Sequence, residues 1–165
     1  MLKEMRIAGI TVDPFTNTPI VILKDMDDNE ILPIWIGLLE ASSIATAIEN
    51  IQTPRPMTHD LLKNILDRLG AEIIRIEVND LKDSTFYALL HIKANNEKFV
   101  IDSRPSDAIA IALRTGASIF VEESVIKRAA KVDLNQKGDK VVTDTNDWED
   151  ILENLSQDDF GKYKM

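Results

Sequence analysis

The stretch "IDSRPSDAIAIAL", residues 101 to 113, sets an acid, a base and a second acid at the mouth of an apolar helix. Asp102, Arg104 and Asp107 precede Ala108 through Leu113, a run with no polar side chain. Pro105 suits the first turn of a helix, where a missing N–H costs nothing. Asp107 then falls in the first turn, where the macrodipole favours a carboxylate. Two chemistries fit the pattern. The plain one is a cap with an internal ion pair, Arg104 with Asp102 or Asp107, because a buried charge needs a partner. The other is phosphate handling: Arg104 and the free N–H groups, with Ser106, bind an anion. A carboxylate, Asp102 or Asp107, then holds a metal or activates water.

A second segment has the same grammar. "RPMTHD", residues 55 to 60, again sets Arg-Pro before a helix with an aspartate in its first turn. Arg55 is a second candidate phosphate ligand and Asp60 a further candidate metal ligand. His59 is a candidate base, weighed against an exposed histidine with no special role. Thr58 is the expected N-cap. Glu40, after "LPIWIG", is a candidate catalytic carboxylate, weighed against simple dipole compensation. With no cysteine, any metal site is built from carboxylates, which suits Mg²⁺ or Mn²⁺. No Ser-His-Asp triad is expected, since no nucleophile elbow accompanies either histidine.

The elements that position these residues follow from periodicity. Residues 6–12, 20–25 and 31–37 read as strands, the last interrupted by Pro33. Ala41, Ile44, Ala45, Ile48 and Ile51 repeat at helical spacing. Leu61, Leu62, Ile65, Leu66 and Leu69 form an apolar stripe on a second helix, closed by Gly70. Three more strands follow, with Asn95-Asn96 as a hairpin turn. Then come the helix of residues 105–115, a strand "SIFVE" and a short helix. The order predicts an α+β fold with a largely antiparallel sheet, built from a duplicated β-β-β-α unit with a bridging helix. Residues 1–130 form the domain; residues 131–165 form an acidic tail with an amphipathic helix around Trp148, Ile151, Leu152 and Leu155.

Charge sets the main objection to a nucleic-acid partner. The net charge is −9, with 14 basic against 19 acidic residues already in 1–130. Phosphate binding normally leaves a basic footprint. No apolar run approaches a membrane span, and Lys3, Glu4 and Arg6 interrupt any signal-like start. A cytoplasmic protein without membrane contact is expected.

The blocks "LPIWIGLLEASSIA", "RPMTHDLLKNIL", "LKDSTFYALLHI" and "IDSRPSDAIAIALRTGASIFV" resemble the bifunctional nuclease family, in the family's order, over about residues 5 to 125. Ser118 stands where the family pattern has proline. The resemblance implies an α+β fold, a homodimer and cleavage of DNA or RNA. Glu40, Arg55, His59, Asp60, Asp102, Arg104, Ser106 and Asp107 fall inside its motifs. The expectation is a divalent-metal-assisted phosphodiester hydrolase. The alternative is a non-catalytic dimeric module that binds a protein, through the acidic tail, or a small anionic ligand.

Overall fold

The computed structural model describes residues 1–135. Its strands are β1 (Leu2–Val12), β2 (Pro19–Asp25), β3 (Ile31–Trp35), β4 (Ala71–Lys82), β5 (Thr85–Ala94), β6 (Glu97–Ser103) and β7 (Ser118–Glu122). Its helices are α1 (Leu38–Ile48), α2 (Thr58–Arg68), α3 (Pro105–Thr115) and α4 (Glu123–Asn135). The expected tail helix around Trp148 lies outside the described residues.

All seven strands join one sheet in the order β3-β2-β1-β7-β4-β5-β6. Each half is a three-strand meander followed by a helix, and the two meanders flank β7. β7 runs antiparallel to β1 and parallel to β4; every other pairing is antiparallel. The α+β expectation therefore stands, and the twice-used β-β-β-α order is visible as 3-2-1 on one side of β7 and 4-5-6 on the other. The tight turns follow their residue types. Asn95 and Asn96 take φ of 50° and 65°, and Asp83 and Ser84 take 47° and 59°, the left-handed pair that a two-residue hairpin requires.

Register assigns faces, because directly opposite residues share one. The row Met5, Ile119, Ile76, Leu90, Ile101 faces the core. The row Glu4, Phe120, Glu77, Leu89, Asp102 faces the other way. α3 packs over the core face of β4, β5 and β7, and its residues Ala108 to Ala112 are all buried. That is what an apolar run without amphipathic breaks calls for. α1 lays Ala41, Ile44 and Ala45 inward and packs on α3, as does α2. Small residues at that crossing let the helix axes approach closely.

α2 is held differently from α1 and α3. α2 has no buried residue at all. Only Leu66 of its stripe packs against the core; Leu61, Leu62, Ile65 and the following Leu69 are exposed. A helical stripe states that a face is apolar, not what covers it. Thr58 is also not the cap: Met57 holds that position, and the Asp60 carboxylate at the third helical residue accepts the Met57 N–H at 2.9 Å. No helix among the described residues is long and apolar enough to cross a membrane.

Candidate active site

The N-terminal parts of α1, α2 and α3 meet in a single polar cluster. Arg104 is the residue before α3, in extended conformation, with Pro105 opening the helix. Its Nε donates to Asp107 Oδ2 at 2.7 Å and its Nη2 to Asp107 Oδ1 at 3.2 Å. Its Nη1 donates to Glu40 Oε1 at 2.8 Å, which ties the first turn of α1 to the mouth of α3. Glu40 fits because residue 37 is glycine: a Cβ there would collide with the Glu40 carboxylate. Three of the five guanidinium N–H groups are thus used and two remain. The side chain is 65% exposed, so those two face solvent.

His59, in the first turn of α2, links all three helices. Its Nε2 lies 2.9 Å from Asp107 Oδ1, and its Nδ1 lies 2.7 Å from Ser43 Oγ on α1. The His59 side chain is only 13% exposed, so it is not the solvated histidine that a helix start suggests. A carboxylate only accepts, so a neutral ring carries its proton on Nε2 and accepts from the Ser43 hydroxyl at Nδ1. The result is a hydrogen-bonded chain Ser43–His59–Asp107. From the sequence alone no Ser-His-Asp triad can be assigned, yet these three groups meet in the structure. The nucleophile elbow is one way to present a serine; here three helices bring the groups together instead.

A neighbouring pair braces the cluster. Arg114, near the end of α3, donates Nε to Asp60 Oδ1 at 2.6 Å and Nη2 to the Ser43 carbonyl at 3.1 Å. Its Nη1 returns to the Ala110 carbonyl at 2.9 Å, and its side chain is nearly buried. Burial pushes the Asp60 and Asp107 carboxyls up. The bonds from Arg114 and the Met57 N–H to Asp60, and from Arg104 and His59 to Asp107, outweigh that. Both acids are held below their ordinary range. Asp107, followed by Glu40, holds the Arg104 guanidinium above its ordinary value.

Four expected residues meet in the cluster, and Asp60 reaches it through Arg114. Glu40, Arg104, Asp107 and His59 form one chain of direct contacts in that order. Ser106 is buried behind them in the first turn of α3. Asp102 does not join: it lies in the outward-facing row of the sheet and is exposed. Arg55 is exposed, and its recorded contact is through its carbonyl, which accepts the Thr53 hydroxyl at 2.7 Å. The two Arg-Pro helix mouths therefore share one site through His59 and Asp107, not through their arginines. Sequence reasoning missed Ser43 and Arg114. Ser43 borders the apolar stripe of α1, a weak signal; Arg114 looks like an ordinary C-terminal basic residue of a helix. The other histidine, His91, lies on the sheet with its Nε2 3.0 Å from Glu77 Oε1.

The metal expectation meets a poor donor set. Asp107 and Asp60 are each engaged by an arginine, and Asp102 is elsewhere. Among the described residues no three His, Asp or Glu side chains gather as metal ligands. The residues present do not form a carboxylate cage.

Comparison with known proteins gives a consistent family. The bifunctional nuclease domain matches residues 21–133. An uncharacterised protein of Mycobacterium tuberculosis is 35% identical over 164 residues, covering 96% of this chain and 98% of its own. Bifunctional nuclease 1 of Arabidopsis thaliana is 34% identical over 110 residues, 64% of this chain and 34% of the plant protein. Bifunctional nuclease 2 of Oryza sativa subsp. japonica is 30% identical over 111 residues, again about a third of its own length at 34%.

Proposed function

Because the chain belongs to the bifunctional nuclease domain family, we propose that it hydrolyses phosphodiester bonds of DNA or RNA at the junction of α1, α2 and α3. The observation that supports this most is the Ser43–His59–Asp107 chain lying beside a solvent-facing arginine. Both ring nitrogens of His59 are engaged in the resting fold, so Nδ1 reaches the leaving group and water only after Ser43 has given up its proton and bonded to phosphorus. In this reading the two outward N–H groups of Arg104 take non-bridging phosphate oxygens. Ser43 Oγ attacks phosphorus as its proton passes to His59 Nδ1, and Asp107 steadies the resulting imidazolium. The proton then goes to the departing sugar oxygen. Water attacks the seryl phosphodiester, giving its proton to His59, and Ser43 leaves with a proton restored. Removing the base from such a relay costs about 10²- to 10⁴-fold in rate.

A second reading rests on a different observation. α2 has no buried residue, so the His59–Asp107 and Arg114–Asp60 pairs anchor it to α3. The cluster is then a polar staple in a non-catalytic module, with the acidic residues after 130 as its partner-facing segment. The net charge of −9 favours this reading.

Stringently purified wild type and Asp107→Asn separate the two. Each is incubated with single- and double-stranded DNA and RNA in Mg²⁺, in Mn²⁺ and in EDTA. Cleavage by wild type and loss in a folded Asp107→Asn supports the hydrolase. No products from either protein supports the staple; equal products from both place the cleavage at another site or in a contaminant. The EDTA arm reports whether a divalent ion is required.

A further inference from the structure

The sheet ends in two unlike edges. β3 carries Pro33, which has no N–H to offer an added strand. β6 carries no proline, and its residues from Glu97 to Asp102 are all exposed. Phe99, Val100 and Ile101 are 45%, 57% and 48% exposed, an apolar run on an open edge. Among the described residues nothing pairs with the outer side of β6. Long, apolar, unpaired edges are what folded proteins normally cover or break.

The backbone phase of this edge follows from its turn. Asn95 and Asn96 close a two-residue hairpin in which Ala94 opposes Glu97. The Glu97 N–H therefore turns back to β5, and the antiparallel alternation sends the N–H and C=O of Lys98, Val100 and Asp102 outward. The side chains of those three lie on the outward sheet face, in rows with Lys93, His91 and Leu89. Phe99 and Ile101 lie on the core face, in rows with Ile92 and Leu90.

We infer that β6 pairs antiparallel with β6 of a second copy about a two-fold axis at Val100, joining the two sheets into one. In this register Val100 meets Val100. Lys98 faces Asp102 twice, and Phe99 faces Ile101 twice. The neighbouring registers that keep the faces aligned do worse. An axis at Phe99 or Ile101 sets a charge against Val100; an axis at Lys98 or Asp102 sets like charges together. One register alone matches opposite charges and apolar side chains while using all six outward backbone groups on each strand. Cross-strand pairs of these kinds stabilise a sheet, and like charges directly opposite destabilise it. Asp102, which the candidate active site leaves out, thereby acquires a role as the interface acid.

The test is sedimentation analysis of the full chain, with the charges exchanged. Wild type is expected to be a dimer at tens of micromolar. Lys98→Asp and Asp102→Lys each place like charges at two positions and should raise the dissociation constant at least tenfold. An equimolar mixture of those two variants, and the double variant carrying both changes, should dimerise again. Val100→Pro removes an outward N–H without touching the β5 bonds and should give a folded monomer, with an unchanged circular dichroism spectrum. A monomeric wild type overturns the inference. So does a dimer indifferent to the charge exchange, which places the interface elsewhere.

Discussion

Asp107 is the residue on which most of the site's order depends. It accepts from Arg104 and His59 together, and it is held below the ordinary carboxylate range while partly buried. Asp60 is held low in the same sense by Arg114. A carboxyl whose folded pKa lies below its unfolded value stabilises the fold above the unfolded pKa, and that contribution fades as pH falls through the folded pKa. The ordinary value is 3.8 for both. The contribution of these two carboxyls is therefore fully present above their ordinary value and falls below about pH 4. Asp60→Asn should be less stable at pH 7 by about 1–3 kcal/mol, since Arg114 keeps a nearly buried guanidinium without its anion. The same variant should lose less than wild type between pH 4 and pH 2, which urea unfolding at each pH measures. Glu40→Gln acts oppositely on ligand affinity. It removes one of the two anions on an exposed Arg104. It should tighten binding of a short single-stranded oligonucleotide by about 1 kcal/mol, roughly fivefold in Kd, with little change in thermal midpoint. Weaker binding in fluorescence titration would remove Arg104 from the phosphate site.

At the scale of elements, α2 and α3 hold opposite positions in the stability of the fold. The central run of α3, Ala108 to Ala112, is apolar on all sides because the sheet, α1 and α2 surround it. α2 is attached through Leu66 and through polar links to α3 and α1. Ile109→Ala should cost about 2–5 kcal/mol, the range for a buried aliphatic side chain. Ile65→Ala, on the exposed stripe of α2, should cost under about 1 kcal/mol in equilibrium unfolding. Amide exchange should open α2 well before α3. These elements were legible in the sequence to different depths. Strands, turns and helices follow from local signals: Asn95-Asn96, the stripes, Pro105 and Gly70, which does take a left-handed φ of 65°. The ion pair at the mouth of α3 was legible as a choice between Asp102 and Asp107. Register decided it, since alternation turns Asp102 to the far face. What one sequence does not carry is the pairing of distant segments. Ser43 and His59 are close only because α1 and α2 both lie on α3, and neither residue type announces that. The exposure of the α2 stripe was illegible for the same reason.

At the scale of the whole molecule, the seven strands form one sheet with two meanders about β7, and the site lies where their helices and the bridging helix converge. An acidic surface repels polyanions, so the candidate substrate approaches against the global field. Cleavage, where it occurs, should be faster at moderate salt than at low salt, because screening relieves the long-range repulsion. A rate that falls steeply from low to moderate salt would instead indicate a basic track. In the proposed mechanism Ser43, activated by His59, is the reacting group. Single-turnover cleavage of a labelled oligonucleotide by wild type and Ser43→Ala tests it most directly, with thermal unfolding of both as the control for folding. Ser43→Ala should lose at least about 100-fold in rate at a nearly unchanged thermal midpoint. Equal rates from wild type and a folded Ser43→Ala would contradict it.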